Sequence, residues 1–82
     1  MDFEMYQDVI LTVDHPEHAL CTGDVGTLVD RHLLPGKEVG YSVEFFDMTG
    51  RTVAVIIVPS SCLRAPTPAD RPSIRTLSRA GV

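Results

Sequence analysis

Between Asp8 and Asp14 the side chains alternate, with Val9, Leu11 and Val13 on one face and Ile10 and Thr12 on the other. That is the period-two pattern of a half-buried strand. The pattern stops at His15-Pro16, because a residue preceding proline is pushed out of the helical region. Pro16 to Leu20 is long enough only for a turn or one short 3₁₀ segment, and reads as a connecting loop. Gly23-Asp24 is a turn signal that leads into a β-branched run, Val25 to Asp30. Gly26 interrupts this run and predicts a bulge or tight bend there, through which a sheet of few strands could curl and close.

Pro35-Gly36 supplies a type II corner. Tyr41, Val43 and Phe45 then alternate with Ser42, Glu44 and Phe46, a strand with one aromatic on its polar face. Asp47-Met48-Thr49-Gly50 has aspartate at the first turn position and glycine at the fourth, which predicts a type I turn closed by a glycine bulge. Arg51 to Val58 is the returning strand, and Pro59 ends its ladder for want of an amide proton. Ser60 to Leu63 predicts one 3₁₀ turn. Beyond Arg64 the composition shifts to Ala, Pro, Thr, Ser and Arg, with Pro66, Pro68 and Pro72 as interruptions. A partly disordered tail is expected there, or a short helix from Pro72 to Ala80 with Ile74 and Leu77 three apart.

Short antiparallel strands, short loops and a terminal turn predict an all-β domain: a small SH3-like barrel over residues 1–64, with a basic Pro/Arg-containing tail over 65–82. Eighty-two residues allow one modest core. Two cysteines, Cys21 and Cys62, are too few for a disulfide framework and read as free thiols of a reducing compartment. The opening is acidic where a signal peptide is basic, and the longest aliphatic run, Val53 to Val58, falls far short of the roughly 20 residues of a membrane span. A cytoplasmic protein without membrane contact is expected.

Three segments carry a family resemblance: Gly23-Asp24-Val25-Gly26-Thr27-Leu28-Val29, Tyr41 to Asp47 and Thr52 to Val55, with Pro16-Glu17-His18 ahead of them. Over about residues 6–64 the chain resembles bacterial small proteins of the 4926 family of domains of unknown function. The resemblance implies an SH3-like barrel and brings no catalytic residues with it. The Gly-Asp-x-Gly-x-x-Val strand start is also distantly similar to KOW-type modules, many of which bind RNA or ribosomal and transcription proteins through basic residues.

Charge bears on that likeness. Residues 1–64 hold ten acids against Arg31, Lys37, Arg51 and Arg64, a net −6, whereas Arg71, Arg75 and Arg79 face only Asp70 in the tail. An acidic body with a basic tail leaves nucleic acid only the tail to bind. On a helix the three arginines would form one stripe, four residues apart.

Candidate chemistry is sparse. His15, His18 and Cys21 stand three apart and offer imidazole and thiolate to a borderline metal, but a fourth ligand at a recognised spacing is lacking. Cys21, Cys62, Ser60 and Ser61 are potential nucleophiles, yet a small barrel is not expected to enclose a pocket in which a base could be oriented. Asp24, Asp30, Glu44 and Asp47 read as surface and turn residues. No enzyme and no cofactor are expected. The informative stretch is Val53 to Val58, where alternate residues point to opposite faces and about three aliphatic side chains must leave the interior. Small Ala54 suits the inside, which sends Val53, Val55 and Ile57 outward, with Phe46 of the paired strand beside them. These four, with Arg71, Arg75 and Arg79, are the candidate contact residues for a protein partner or self-association, unless Ile74 and Leu77 of the tail cover the strand. An accessory subunit of a larger complex or a small neutralising protein of the antitoxin or immunity kind would carry such a surface.

Overall fold

The structure, a computed structural model, describes residues 3–33 and 35–77. Five antiparallel strands follow one another as β1 (Asp8–Leu11), β2 (Val25–His32), β3 (Gly40–Phe46), β4 (Thr52–Pro59) and β5 (Leu63–Arg64). They form one sheet in the order β4-β3-β2-β1-β5. The two edge strands are consecutive in the chain, joined only by a 3₁₀ turn at Ser60–Cys62. In a flat sheet those edges would lie four spacings, roughly 19 Å, apart. Three 3₁₀ residues advance only about 6 Å, so the sheet must curl. The result is the expected SH3-like half-barrel. Two hydrogen bonds hold the corner, Thr12 N–H to the Cys62 carbonyl and Ser60 N–H to the Val39 carbonyl, both 2.9 Å.

Inside the curl, Val9, Leu11, Leu28, Tyr41, Val43, Phe45, Ile56, Val58 and Leu63 pack as one buried cluster with Leu20 and Phe3. Cys62 packs against this cluster and Leu63 is inside it, so the turn between the edges plugs one end of the barrel. Phe3 sits edge-on to Tyr41, with ring centroids 5.4 Å apart, and its N–H donates to the Tyr41 hydroxyl at 3.3 Å. Among the described residues no helix is long and apolar enough to cross a membrane.

The hairpin between β3 and β4 has the expected closure. Gly50 has φ +87°, and its N–H donates to the Asp47 carbonyl. One carboxylate oxygen of Asp47 accepts from the Thr49 N–H, the Thr49 hydroxyl and the Arg51 N–H at 2.7–3.0 Å. Those bonds hold the Asp47 carboxyl below its ordinary pKa, the Thr49 side chain contributing most.

Three local expectations are corrected. The bend placed at Gly26 lies three residues later, at Val29, where the β2–β3 register shifts between Leu28 and Asp30. Gly26 instead pairs regularly with Val9 and Phe45 and is needed for close approach, since a Cβ there would lie 2.5 Å from Val43 Cγ1. The first strand ends at Leu11 rather than Asp14: Thr12 turns its N–H to Cys62, and Val13 is exposed. A fifth strand exists where only a 3₁₀ turn is expected, because Leu63 and Arg64 emerge beside Leu11 and Ile10.

Candidate functional site

On β4, Ala54, Ile56 and Val58 turn toward the core, Ile56 buried and Val58 fully buried there. The alternate residues Val53, Val55 and Ile57 are 56%, 54% and 67% exposed, and Phe46 on β3 is 44% exposed. The outward set expected from the period is therefore the one observed. A register shift between Phe45 and Phe46 leaves Val53 as an extra residue, a bulge beside the hairpin, and residues 54–59 pair regularly. Among the described residues β4 pairs only with β3 in the sheet, so its other side is an edge. From Thr52 to Pro59 it carries no charge.

Behind this apolar row the outer face turns polar. Glu44 lies opposite Val55 and accepts the Thr52 hydroxyl, while Ser42 lies opposite Ile57 and within 2.8 Å of His32 Nε2. At the far end of β4, Glu38 accepts from the Ser61 N–H and hydroxyl and from the Ser60 hydroxyl, each at 3.1 Å. The Ser61 backbone bond, then the two hydroxyls, hold its carboxyl below the ordinary range.

Over residues 72–77 the tail has no regular secondary structure, so the short helix does not form there, and Ala80 lies outside the described residues. Prolines 66, 68 and 72 remove amide donors, and the chain bonds locally instead. Thr67 N–H and hydroxyl donate to the Asp70 carboxylate, and Asp70 N–H returns to the Thr67 carbonyl. The arginine stripe goes with the helix. Arg71 donates to the Pro68 and Asp70 carbonyls, while Arg75 reaches Asp24 and the Ala19 carbonyl; Arg79 lies outside the described residues.

Two forked ion pairs pin this segment. Arg64 holds Asp70 at 2.7 and 2.9 Å, and Arg75 holds Asp24 at 2.6 and 3.1 Å. Burial pushes the Asp24 carboxyl up, but the Arg75 fork, the Cys21 N–H bond and the Arg75 charge outweigh it and hold the group low. Arg64 first, then the Thr67 N–H, hold Asp70 well below the carboxylate range. Neither pair was legible in the sequence, since Asp24 looks like a turn residue and nothing local connects it to Arg75.

The tail thus arches across the outer face of β1 and β2. Between them runs an open groove of about 1260 Å³, lined in part by Ile10, Val25, Phe46, Val53, Ile74 and Leu77. The concavity lies outside the barrel, whose interior is filled. Ile74 and Leu77 are themselves mostly exposed, and neither Val55 nor Ile57 lines the groove, so the described part of the tail does not cover the rest of β4.

The loop of potential metal ligands is dispersed. His15 Nδ1 lies 3.3 Å from Glu17 Oε1, His18 is exposed, and Cys21 is half-buried beside Asp24. Among the described residues no three His, Cys, Asp or Glu side chains converge as a metal would need. Cys21 and Cys62 are both free and half-buried.

A family model described as Domain of unknown function (DUF4926) matches residues 5–65, which is the barrel with β5 and without the tail. No curated protein and no solved structure matches the chain.

Proposed function

We propose that this chain, which belongs to the DUF4926 family, is a non-catalytic protein-interaction module that docks through the outward face and free edge of β4. The observation that carries the reading is the row Val53, Val55 and Ile57, three aliphatic side chains more than half exposed on one uncharged edge strand. Native edges are ordinarily blunted by charge, proline or bulges; here the Val53 bulge and Pro59 stand only toward the two ends and no charge lies between them, and contiguous apolar surface marks contact sites. Burying the three would contribute roughly 4–8 kcal/mol before the cost of association.

The commitments of the two serines support the non-catalytic reading. Ser60 and Ser61 are committed to Glu38, and neither is within hydrogen-bond distance of a histidine among the described residues. A nucleic-acid role for the tail loses support at Arg75, whose charge Asp24 neutralises. An accessory subunit or a small neutralising protein, acting in the cytoplasm, uses a surface of this kind.

Light scattering on the purified chain and on the chain recovered from its native extract tests the reading, with Ile57→Lys beside the wild type. A mass above the 9.0 kDa of one chain, or a stoichiometric companion, is expected in the wild type and is lost in the variant, whose unfolding as a dilute monomer is unchanged. A lone monomer indifferent to the substitution overturns it.

A further inference from the structure

We infer that the occupant of the β4 edge is a second copy of this chain, paired antiparallel about a two-fold axis at Val55; this rests on the docking reading above. A two-fold contact needs a self-complementary strand. Centring the pairing on Val55 sets Val55 against itself and Val53 against Ile57 on both sides, so every outward aliphatic residue meets another. Moving the centre one residue toward the hairpin would set Ile57 against Arg51. Moving it the other way would set Val53 against Pro59. Both alternatives lose an aliphatic match, and a slip that exchanges the two faces of the strand would lose them all.

Charge selects the same register. Arg51 is exposed one residue before β4, and Glu38 is fixed just past its other end by Ser60 and Ser61. In the Val55-centred pairing Arg51 of each copy arrives beside Pro59 of the other, next to that carboxylate. The opposite charges meet twice, once at each end, around an uncharged middle. Such an arrangement fixes register and orientation. The Val53 bulge lies at the hairpin end, so residues 54–56 form the regular centre of the pairing and the Val53–Ile57 contact on each side is made at the bulge.

Cross-linking distinguishes this axis from other contacts. In an antiparallel ladder facing Cα atoms lie about 4.5 or 5.5 Å apart, within the range a disulfide spans. A cysteine at 55 would face its own copy, whereas one at 53 would face Ile57. Under mild oxidation Val55→Cys is expected to give a covalent dimer, with Val53→Cys and the wild-type chain, which retains Cys21 and Cys62, as negative controls. In sedimentation equilibrium the wild type is expected to form a dimer of twice 9.0 kDa. Val55→Lys, which sets like charges on the axis, is expected to weaken it by about 100-fold or more. Arg51→Glu is expected to weaken it about fivefold.

A wild-type monomer at every concentration overturns the second copy. If a companion protein is then lost with Ile57→Lys, docking through β4 still stands; if there is none, both fall. A dimer unmoved by Val55→Lys and Ile57→Lys uses another face, and it too overturns both. A dimer that Val53→Cys cross-links as readily as Val55→Cys overturns the register.

Discussion

Arg75 and Asp24, 51 positions apart, form a forked ion pair in which Nη2 lies 2.6 Å from Oδ2 and Nε 3.1 Å from Oδ1. The same Nη2 donates to the Ala19 carbonyl at 3.0 Å, so one side chain ties the tail to the turn that opens β2. Trypsin must take the Arg75 side chain into its own acidic pocket to cut before Thr76, and bound Asp24 competes for it. Asp24→Asn keeps an acceptor for the Cys21 N–H and removes the charge. Cleavage at that bond, followed by mass spectrometry, is expected to quicken by up to about fivefold, the range of a partly exposed pair. Raising salt should quicken the wild type and leave the variant almost unchanged.

The pH dependence has a definite sign. Asp24, Asp47 and Asp70 all have folded pKa values depressed below the ordinary 3.8. Their contribution to stability is fully present above that value and is lost as pH falls below it and through the folded values. Urea midpoints measured from neutral pH downward should therefore show these acids acting only at the acid end. Asp24→Asn should flatten part of the acid decline.

Gly26 tolerates no side chain. An added Cβ would meet Val43 Cγ1 at 2.5 Å and both the Glu44 carbonyl and Phe45 Cε1 at 3.0 Å, all on the neighbouring strand. Gly26→Ala should cost about 1–3 kcal/mol in urea unfolding, as overpacking of a close-packed core does.

The two faces of β4 should respond oppositely. Ile56 is buried in the core, and Ile56→Ala is expected to cost about 2–5 kcal/mol. Val55→Lys next to it stands on the exposed face and should change monomer stability by less than about 0.5 kcal/mol. Equilibrium unfolding at low concentration checks both.

Tyr41 is the largest fully buried side chain, and its hydroxyl accepts the Phe3 N–H. Tyr41→Phe keeps the ring and leaves that buried N–H unpaired. A loss of about 0.5–1.5 kcal/mol is expected, with faster amide exchange at Phe3.

What the sequence disclosed follows the range of each interaction. The β3–β4 hairpin was legible because Asp47 and Gly50 act within four residues, and the faces of β4 because alternation is a property of the strand itself. The curl was misplaced: glycine in a strand stands for either a bend or a close approach, and only Val43 across the ladder decides which. β5 escaped notice because two residues have no period, and Leu63–Arg64 becomes a strand only by lying beside β1. The tail misled for a related reason. Four-residue arginine spacing reads as a stripe if a helix exists, but Arg71 found local carbonyls and Arg75 the distant Asp24. Phe3 gave no signal at all, since its partner Tyr41 is far along the chain.

The strand order also sets an order in time. Three of the four pairings, β1 with β2, β2 with β3 and β3 with β4, join neighbours in sequence and close short loops. The fourth, Ile10 with Arg64 and Leu11 with Leu63, must bring together almost the whole barrel sequence. Its chain-closure entropy is the largest, so β5 docks after the other four strands have formed a meander. Substitutions at Leu63 should accelerate unfolding and leave the refolding rate nearly unchanged, the reverse of substitutions at Val43. Until that last step β1 is itself an open edge, and during synthesis the nascent chain exposes two pairing edges where the finished protein keeps one long one.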